Sequence, residues 1–279
     1  MTRQEQSYSP IWRFFTGHIL AVLLRILMKH DQRGRENVPR DGGLILAPNH
    51  LSYADWGAVA LFSYQAGRFP TFLIKSSVFD VKVVGPFLRK LGQLPVYRNR
   101  NDAALVLRDA EAALRNNQAV VVYPEGTASR DPGLWPMVGK TGAARLALKT
   151  GVPVIPIAQW GAHEVLPYGT SKPRLFPRKR AQLVAGPPVD LSAWEGKPLT
   201  ATTLREATTA IMADVTTLLA GLRGETPPAV PYDMAKATKP PVSPGPTPET
   251  DATPETDATP ETDATAKTDA GTERETRPT

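Results

Sequence analysis

GGLILAPNHLSYADW, residues 42–56, sets a short apolar run between a glycine pair and Pro-Asn, then places one histidine and one aspartate behind it. A run this short, bounded by turn residues on both sides, reads as a buried strand. Ser52 stands three positions before Asp55. That is the spacing of a loose capping box, with Ser52 at the N-cap and Asp55 at N3, so a helix starts here. Two readings of the polar pair stand. His50 and Asp55 form a proton-transferring pair, in which a carboxylate fixes the tautomer of a histidine that takes a proton from an alcohol. Alternatively, Asp55 only caps a helix and His50 is a loop residue. On a regular helix, residues five apart diverge by about 500°, at about 100° each. The pair therefore meets only if His50 lies in the loop before the helix and Asp55 in its first turn. The two readings are compatible, because capping fixes where Asp55 points.

The same alternation continues along the chain. FPTFLIKSS (69–77), LGQLPVYR (91–98), QAVVVYPEG (118–126), VPVIPIAQW (152–160) and AQLVAGPPV (181–189) read as strands. Pro95 demotes the second of these to a short or edge strand, and the prolines of 152–160 limit its hydrogen bonding. Residues 102–118 repeat apolar side chains at helical spacing behind a cap at Asn101 or Asp102. Residues 139–151 form a helix ended by Gly151, and residues 199–224 form an amphipathic one. Strands alternating with helices predict an α/β fold with a mixed, mostly parallel sheet flanked by helices.

Composition divides the chain. From about residue 225 large apolar side chains almost vanish, and TPETDA occurs three times in succession from Thr247 before decaying to TAKTDA. Such a segment buries too little apolar surface to offset its ordering entropy, so a disordered tail is expected over 225–279. The period is too short, and lacks the apolar stripe, for a solenoid. Residues 225–279 hold 11 acidic and 5 basic side chains, which leaves 28 basic and 16 acidic ones before them, a net +12. That balance suits an anionic partner: nucleic acid, anionic lipid or a phosphorylated small molecule. The absence of cysteine excludes disulfides, thiolate nucleophiles and cysteine-based metal sites.

The N-terminal segment, residues 1–30, contains IWRFFTGHILAVLLRILMKH from Ile11. Arg13 and Arg25 bracket an apolar stretch too short to span a bilayer, and no signal-peptide cleavage site follows. It is either a helix packed on the domain or an amphipathic, membrane-associating helix. Trp12, Phe14 and Phe15 beside basic residues suit the second. The globular domain that follows is expected over residues 31–224.

Other motifs add anion-binding chemistry. YPEGTASRD (123–131) turns sharply after a strand; Gly126 permits close backbone approach, and free amides with Arg130 suit a phosphate. The alternative is a plain turn with solvated charges. Arg98 and Arg100 follow a strand, a sensible place for a phosphate ligand. GLWPMVGKT (133–141) has five residues where a P-loop needs four, so a P-loop nucleotidase is not supported. His163-Glu164 lacks a second histidine at zincin spacing, and no metal site is expected. KPRLFPRKR (172–180) is a basic loop suited to lipid headgroups, an acidic carrier protein or RNA, though interleaved aromatics for nucleic acid are missing.

Taken in order, four of these segments resemble the glycerophospholipid acyltransferase family, the lysophosphatidic-acid acyltransferases of bacterial membrane lipid synthesis. The blocks are Asn49 to Asp55, Gly92 to Arg98, Pro124 to Thr127, and Val152 to Ile157. The resemblance implies that His50 is the general base and Asp55 its orienting partner. It implies that Arg98, Glu125, Gly126, Thr127 and Arg130 bind the acceptor's phosphate region. It further implies acyl-CoA or acyl-carrier protein as co-substrate, no cofactor, no acyl-enzyme, no nucleic-acid partner, and peripheral placement on the cytoplasmic face of the cell membrane. In the family the third block often continues to arginine, where this chain has Ala128. Arg130, from a shifted position, or Lys140 then takes over. Lysophosphatidic acid is the expected acceptor; glycerol 3-phosphate and other lysolipids remain alternatives, as does a noncatalytic anionic-lipid-binding protein.

Overall fold

The computed structural model describes residues 10–96, 102–170 and 172–237 and alternates helix with strand as the apolar pattern requires. In chain order the elements are α1 (Pro10–Leu27), β1 (Lys29–Arg33), β2 (Leu44–Pro48), α2 (Asp55–Gln65), β3 (Pro70–Lys75), α3 (Val84–Lys90) and β4 (Leu94–Val96). There follow α4 (Asp102–Arg115), β5 (Ala119–Val121), α5 (Gly142–Thr150), β6 (Val154–Trp160), α6 (Ala162–Val165), β7 (Arg180–Ala185) and α7 (Ala201–Arg223). The strands form one sheet in the order β1-β7-β6-β2-β5-β3-β4. β6, β2, β5, β3 and β4 are mutually parallel; β7 is antiparallel to β6, and β1 runs with β7. The mixed, mostly parallel α/β sheet expected from the sequence is what forms.

The central strands β2 and β5 are apolar at every position because both faces are covered. Successive side chains point to opposite faces. Leu44 and Leu46 of β2, with Ala119 and Val121 of β5, pack under α1 and α2. Ile45 and Ala47, with Val120, pack under α4, α5 and α7. The His50 loop thus leaves a strand clamped on both sides.

Two elements escape the apolar pattern. β1 (KHDQR) contains no large apolar residue, yet forms the outer strand against β7; edge strands tolerate such charge. α3 is seven residues long, too short to show a period. β4 has three residues and lies at the other edge, in keeping with Pro95. Pro156, however, sits in a central strand. Its carbonyl accepts the Gly186 N–H, so its missing donor faces the side on which the β6–β7 ladder begins only at Ile157. The Asn101 cap lies outside the described residues.

α1 packs one narrow face on α2. Gly17 makes this possible, since a Cβ there would come within 2.4 Å of the Tyr64 ring. The remaining face stays exposed: Ile11, Phe14, Phe15, Ile19 and Ile26 are each more than half exposed. Among the described residues no helix is long and apolar enough to cross a membrane. At the other end α7 stops at Gly224, but the chain beyond it still engages the domain. Val138 N–H donates to the Tyr232 carbonyl at 2.9 Å. The expected boundary at 224 therefore falls short of the last described residues, while the TPETDA repeats lie outside them.

Candidate active site

β2 ends at Pro48, and the next two residues anchor the site. Asn49 is fully buried and ties β2 to β6: its Nδ2 donates to Gln159 O at 3.1 Å, and its Oδ1 accepts Gln159 N–H at 2.7 Å. His50 is pinned to the loop after β5 at both main-chain atoms. Its N–H donates to Glu125 Oε1 at 2.8 Å, and its carbonyl accepts Ser129 N–H at 2.7 Å. The first and third blocks, far apart in sequence, thus form one piece.

His50 lies before α2 and Asp55 is the first residue of that helix, as the five-residue spacing required. His50 Nδ1 stands 2.9 Å from Asp55 Oδ2. The carboxylate is fully buried, and Oδ2 also accepts Leu51 N–H at 2.5 Å and Ser52 N–H at 2.9 Å. The Ser52 cap is only half present. Asp55 reaches back as a capping box requires, but the N-cap residue is Ala54 and has no side-chain cap. Ser52 Oγ instead accepts Ala54 N–H at 2.9 Å and donates to Leu166 O at 2.6 Å. Because β6 and α6 bring Leu166 within reach, Ser52 ties the loop to the next segment rather than closing the helix end.

The imidazole is further confined by rings. Tyr123 packs against it with centroids 4.4 Å apart, and Tyr53 approaches edge-on at 6.5 Å. Burial, and then the Asp55 charge, push the Tyr123 phenol well above its ordinary value, so it remains protonated. Neither Tyr123 nor Gln159 was singled out by sequence reasoning. The only signal was their position at the C-terminal ends of apolar strands.

Glu125 departs from expectation. It is buried, and its Oε1 and Oε2 accept the His50 and Met137 amides at 2.8 and 3.0 Å. Burial pushes its carboxyl up to about 8; the two amides oppose this shift, while Asp55 and Asp131 add to it. Glu125 is therefore a brace between two loops and not a phosphate ligand. Gly126 has φ +70°, and its amide is spent on the Tyr123 carbonyl at 3.0 Å. Thr127 is half-buried beside it, and Ala128 is fully buried. Arg130 is exposed, with its guanidinium carbon 4.0 Å above the Tyr168 ring. Arg98 and Arg100 lie outside the described residues. Among the described residues no group of three or more His, Cys, Asp or Glu is placed to hold a metal.

The arrangement presents an imidazole whose Nδ1 is held by a buried carboxylate and whose side chain remains 16% exposed. Such a pair takes a proton at Nε2.

Residues 29–160 match the family model described as Acyltransferase. A chloroplast 1-acyl-sn-glycerol-3-phosphate acyltransferase of Brassica napus is 33% identical over 144 residues, 51% of this chain and 40% of that protein. A 1-acyl-sn-glycerol-3-phosphate acyltransferase of Bacillus subtilis is 27% identical over 178 residues, 63% of this chain and 81% of that one. The chain spans only about two fifths of the plant relatives' length, 40% for Brassica napus and 39% for Arabidopsis thaliana. The crystal structure of the 1-acyl-sn-glycerophosphate acyltransferase PlsC from Thermotoga maritima superposes with a TM-score of 0.59, covering 77% of this chain and 83% of that one. At 24% identity this is a likeness of fold. Residues 29–160 are thus where this chain is similar to the acyltransferase family.

Proposed function

We propose that the protein moves a fatty acyl group from acyl-CoA or an acyl-carrier protein to the free hydroxyl of 1-acyl-glycerol 3-phosphate, giving phosphatidic acid. The observation that carries this reading is the His50 Nδ1 to Asp55 Oδ2 contact of 2.9 Å, made by a buried carboxylate that the loop amides hold in place. With Nδ1 occupied, Nε2 removes the proton from the acceptor hydroxyl. The oxygen attacks the thioester carbonyl, Asp55 stabilises the imidazolium, and collapse of the tetrahedral intermediate breaks the carbon–sulfur bond. The thiolate leaves with the proton from Nε2. No covalent enzyme intermediate is needed. The names of the relatives support lysophosphatidic acid as acceptor.

A membrane surface is the proposed place of work. The exposed apolar face of α1 continues into the basic loop 172–180, where Arg178 donates to the Met28 carbonyl at 3.1 Å and Phe176 is 83% exposed. Apolar rings rimmed by basic residues suit an anionic lipid interface.

The test supplies labelled acyl-CoA with lysophosphatidic acid, glycerol 3-phosphate and other lysolipids to wild type and His50→Ala. Transfer to lysophosphatidic acid is expected, with a loss of roughly 10²–10⁴-fold in the variant. No transfer to any acceptor ends the acyl-transfer reading. A variant with near-wild-type rate ends the general-base assignment.

A further inference from the structure

We propose that Lys140 is the cation that receives the acceptor's phosphate, a role that rests on the acyl-transfer reading above. The sequence offers Arg130 and Lys140 as substitutes for the arginine that Ala128 displaces; the geometry separates them.

Lys140 is fixed at its main chain, where its N–H donates to the Pro124 carbonyl at 2.8 Å. Its side chain then lies across the turn after β5. A Cβ added to Gly126 would stand 2.8 Å from Lys140 Nζ, 2.9 Å from Cδ and 3.0 Å from Cε. Glycine at 126 therefore does two things: it adopts φ +70°, and it leaves the room in which the lysine side chain rests. The adjoining residue is Glu125, whose Oε1 holds the His50 amide. The ammonium thus sits on the turn that is bonded to the His50 loop, at the end of the sheet where a reacting hydroxyl must arrive.

The competing positions are engaged elsewhere. The side chain at 128 is fully buried, so this position offers no group to the site. The Arg130 guanidinium stacks on Tyr168, whose ring lies 5.6 Å from that of Tyr53. Lys140, in contrast, makes no ion pair among the described residues. Glu125, which adjoins the Gly126 turn, has both oxygens on amides, and burial keeps it largely protonated at neutral pH. It does not neutralise the ammonium. A compact cation with three donors and no internal counter-charge suits a phosphomonoester, which presents several oxygens and no fixed plane.

The experiment uses the full chain as wild type, Lys140→Met, Lys140→Arg and Arg130→Ala, with two acceptors that differ only in phosphate: 1-acylglycerol 3-phosphate and 1-acylglycerol. Lys140→Met is expected to lower kcat/KM on the phosphorylated acceptor by roughly tenfold to a hundredfold, through KM, and to leave the rate on 1-acylglycerol unchanged. Lys140→Arg recovers most of the loss, and Arg130→Ala leaves the preference between acceptors unchanged. An equal loss on both acceptors, or no loss on either, overturns the assignment. So does collapse of the preference in Arg130→Ala alone. Calorimetric titration with a short-chain 1-acylglycerol 3-phosphate runs alongside. If wild type transfers to neither acceptor, the acyl-transfer reading falls. The anion site then stands only if wild type binds that ligand and Lys140→Met binds it at least tenfold more weakly. Equal binding, or none to wild type, overturns it.

Discussion

Around His50, the groups that fix the ring come from the chain itself: Asp55 on Nδ1, Glu125 on the amide, Ser129 on the carbonyl and Tyr123 on the face. Around Lys140, only the main chain is fixed; the ammonium has no partner ion among the described residues. Both groups are bonded to the loop after β5, His50 through Glu125 and Lys140 through the Pro124 carbonyl, at the C-terminal ends of parallel strands, where open α/β sheets receive ligands. One is completed before substrate arrives and the other is left for substrate to complete. Preorganisation lowers the cost of the chemical step, while an unsatisfied cation gives binding and discrimination between acceptors. Substitutions in the first group should change turnover, and those in the second should change affinity.

The largest effect is expected from Asp55→Asn. The amide oxygen can still accept the Leu51 and Ser52 N–H groups that Oδ2 accepts now, so the loop keeps its shape. The charge that balances the imidazolium is gone. Turnover should fall roughly 10²–10⁴-fold with little change in melting temperature. Asp55→Ala should lose both, because the buried loop amides are left unsatisfied at about 1–3 kcal/mol each. Equal thermal stability for the two variants would show that the carboxylate does not organise the loop, and would blur the contrast drawn above.

How far these roles could be read from the sequence depends on the distance between partners. His50 and Asp55 are five residues apart, so local geometry alone said where each must lie. Glu125 pairs with an amide 75 positions away, and Gln159 bonds Asn49 across 110. No local pattern contains such contacts. A glutamate before a glycine turn reads either as part of a phosphate-binding turn or as solvated charge, and only the fold shows it buried and braced. β1 was missed because its edge position removes the apolar alternation by which strands are recognised.

Glu125→Gln sharpens the middle case, a residue that supports the reacting group without touching substrate. A glutamine has one carbonyl oxygen for two amides, so either His50 or Met137 N–H meets a donor. A cost of about 1–3 kcal/mol is expected. The wild-type carboxyl has its folded value raised from 4.5 to about 8. The folded state therefore keeps a proton that the unfolded chain loses. The stability from this shift is fully present below about 4.5 and is lost as pH rises through about 8, at about 1.4 kcal/mol per pH unit. Chemical denaturation across this window should show the gap between wild type and Glu125→Gln widest in acid and narrowing towards pH 8. A gap independent of pH would mean that Glu125 is ionised throughout, and Lys140 would then have a counter-charge beside it.

The smallest effect on fold and turnover should come from α1, where the comparison takes another form. α7 places Leu204, Ile211, Val215 and Leu219 under the sheet, while α1 leaves Phe14 and Phe15 61% and 59% exposed. Replacing both with serine removes apolar surface that the domain does not cover. Stability should change by no more than about 0.5 kcal/mol, and turnover of a short-chain, water-soluble acceptor should be unaltered. Sedimentation with phosphatidylglycerol vesicles should instead show clear loss of binding, since each ring buried in lipid contributes about 1.5–3 kcal/mol. A large drop in melting temperature would mean that these rings pack on protein. Unchanged vesicle binding would move the interface to the basic loop around Phe176. Either outcome separates the surface that the chain leaves open for lipid from the cation that it leaves open for phosphate.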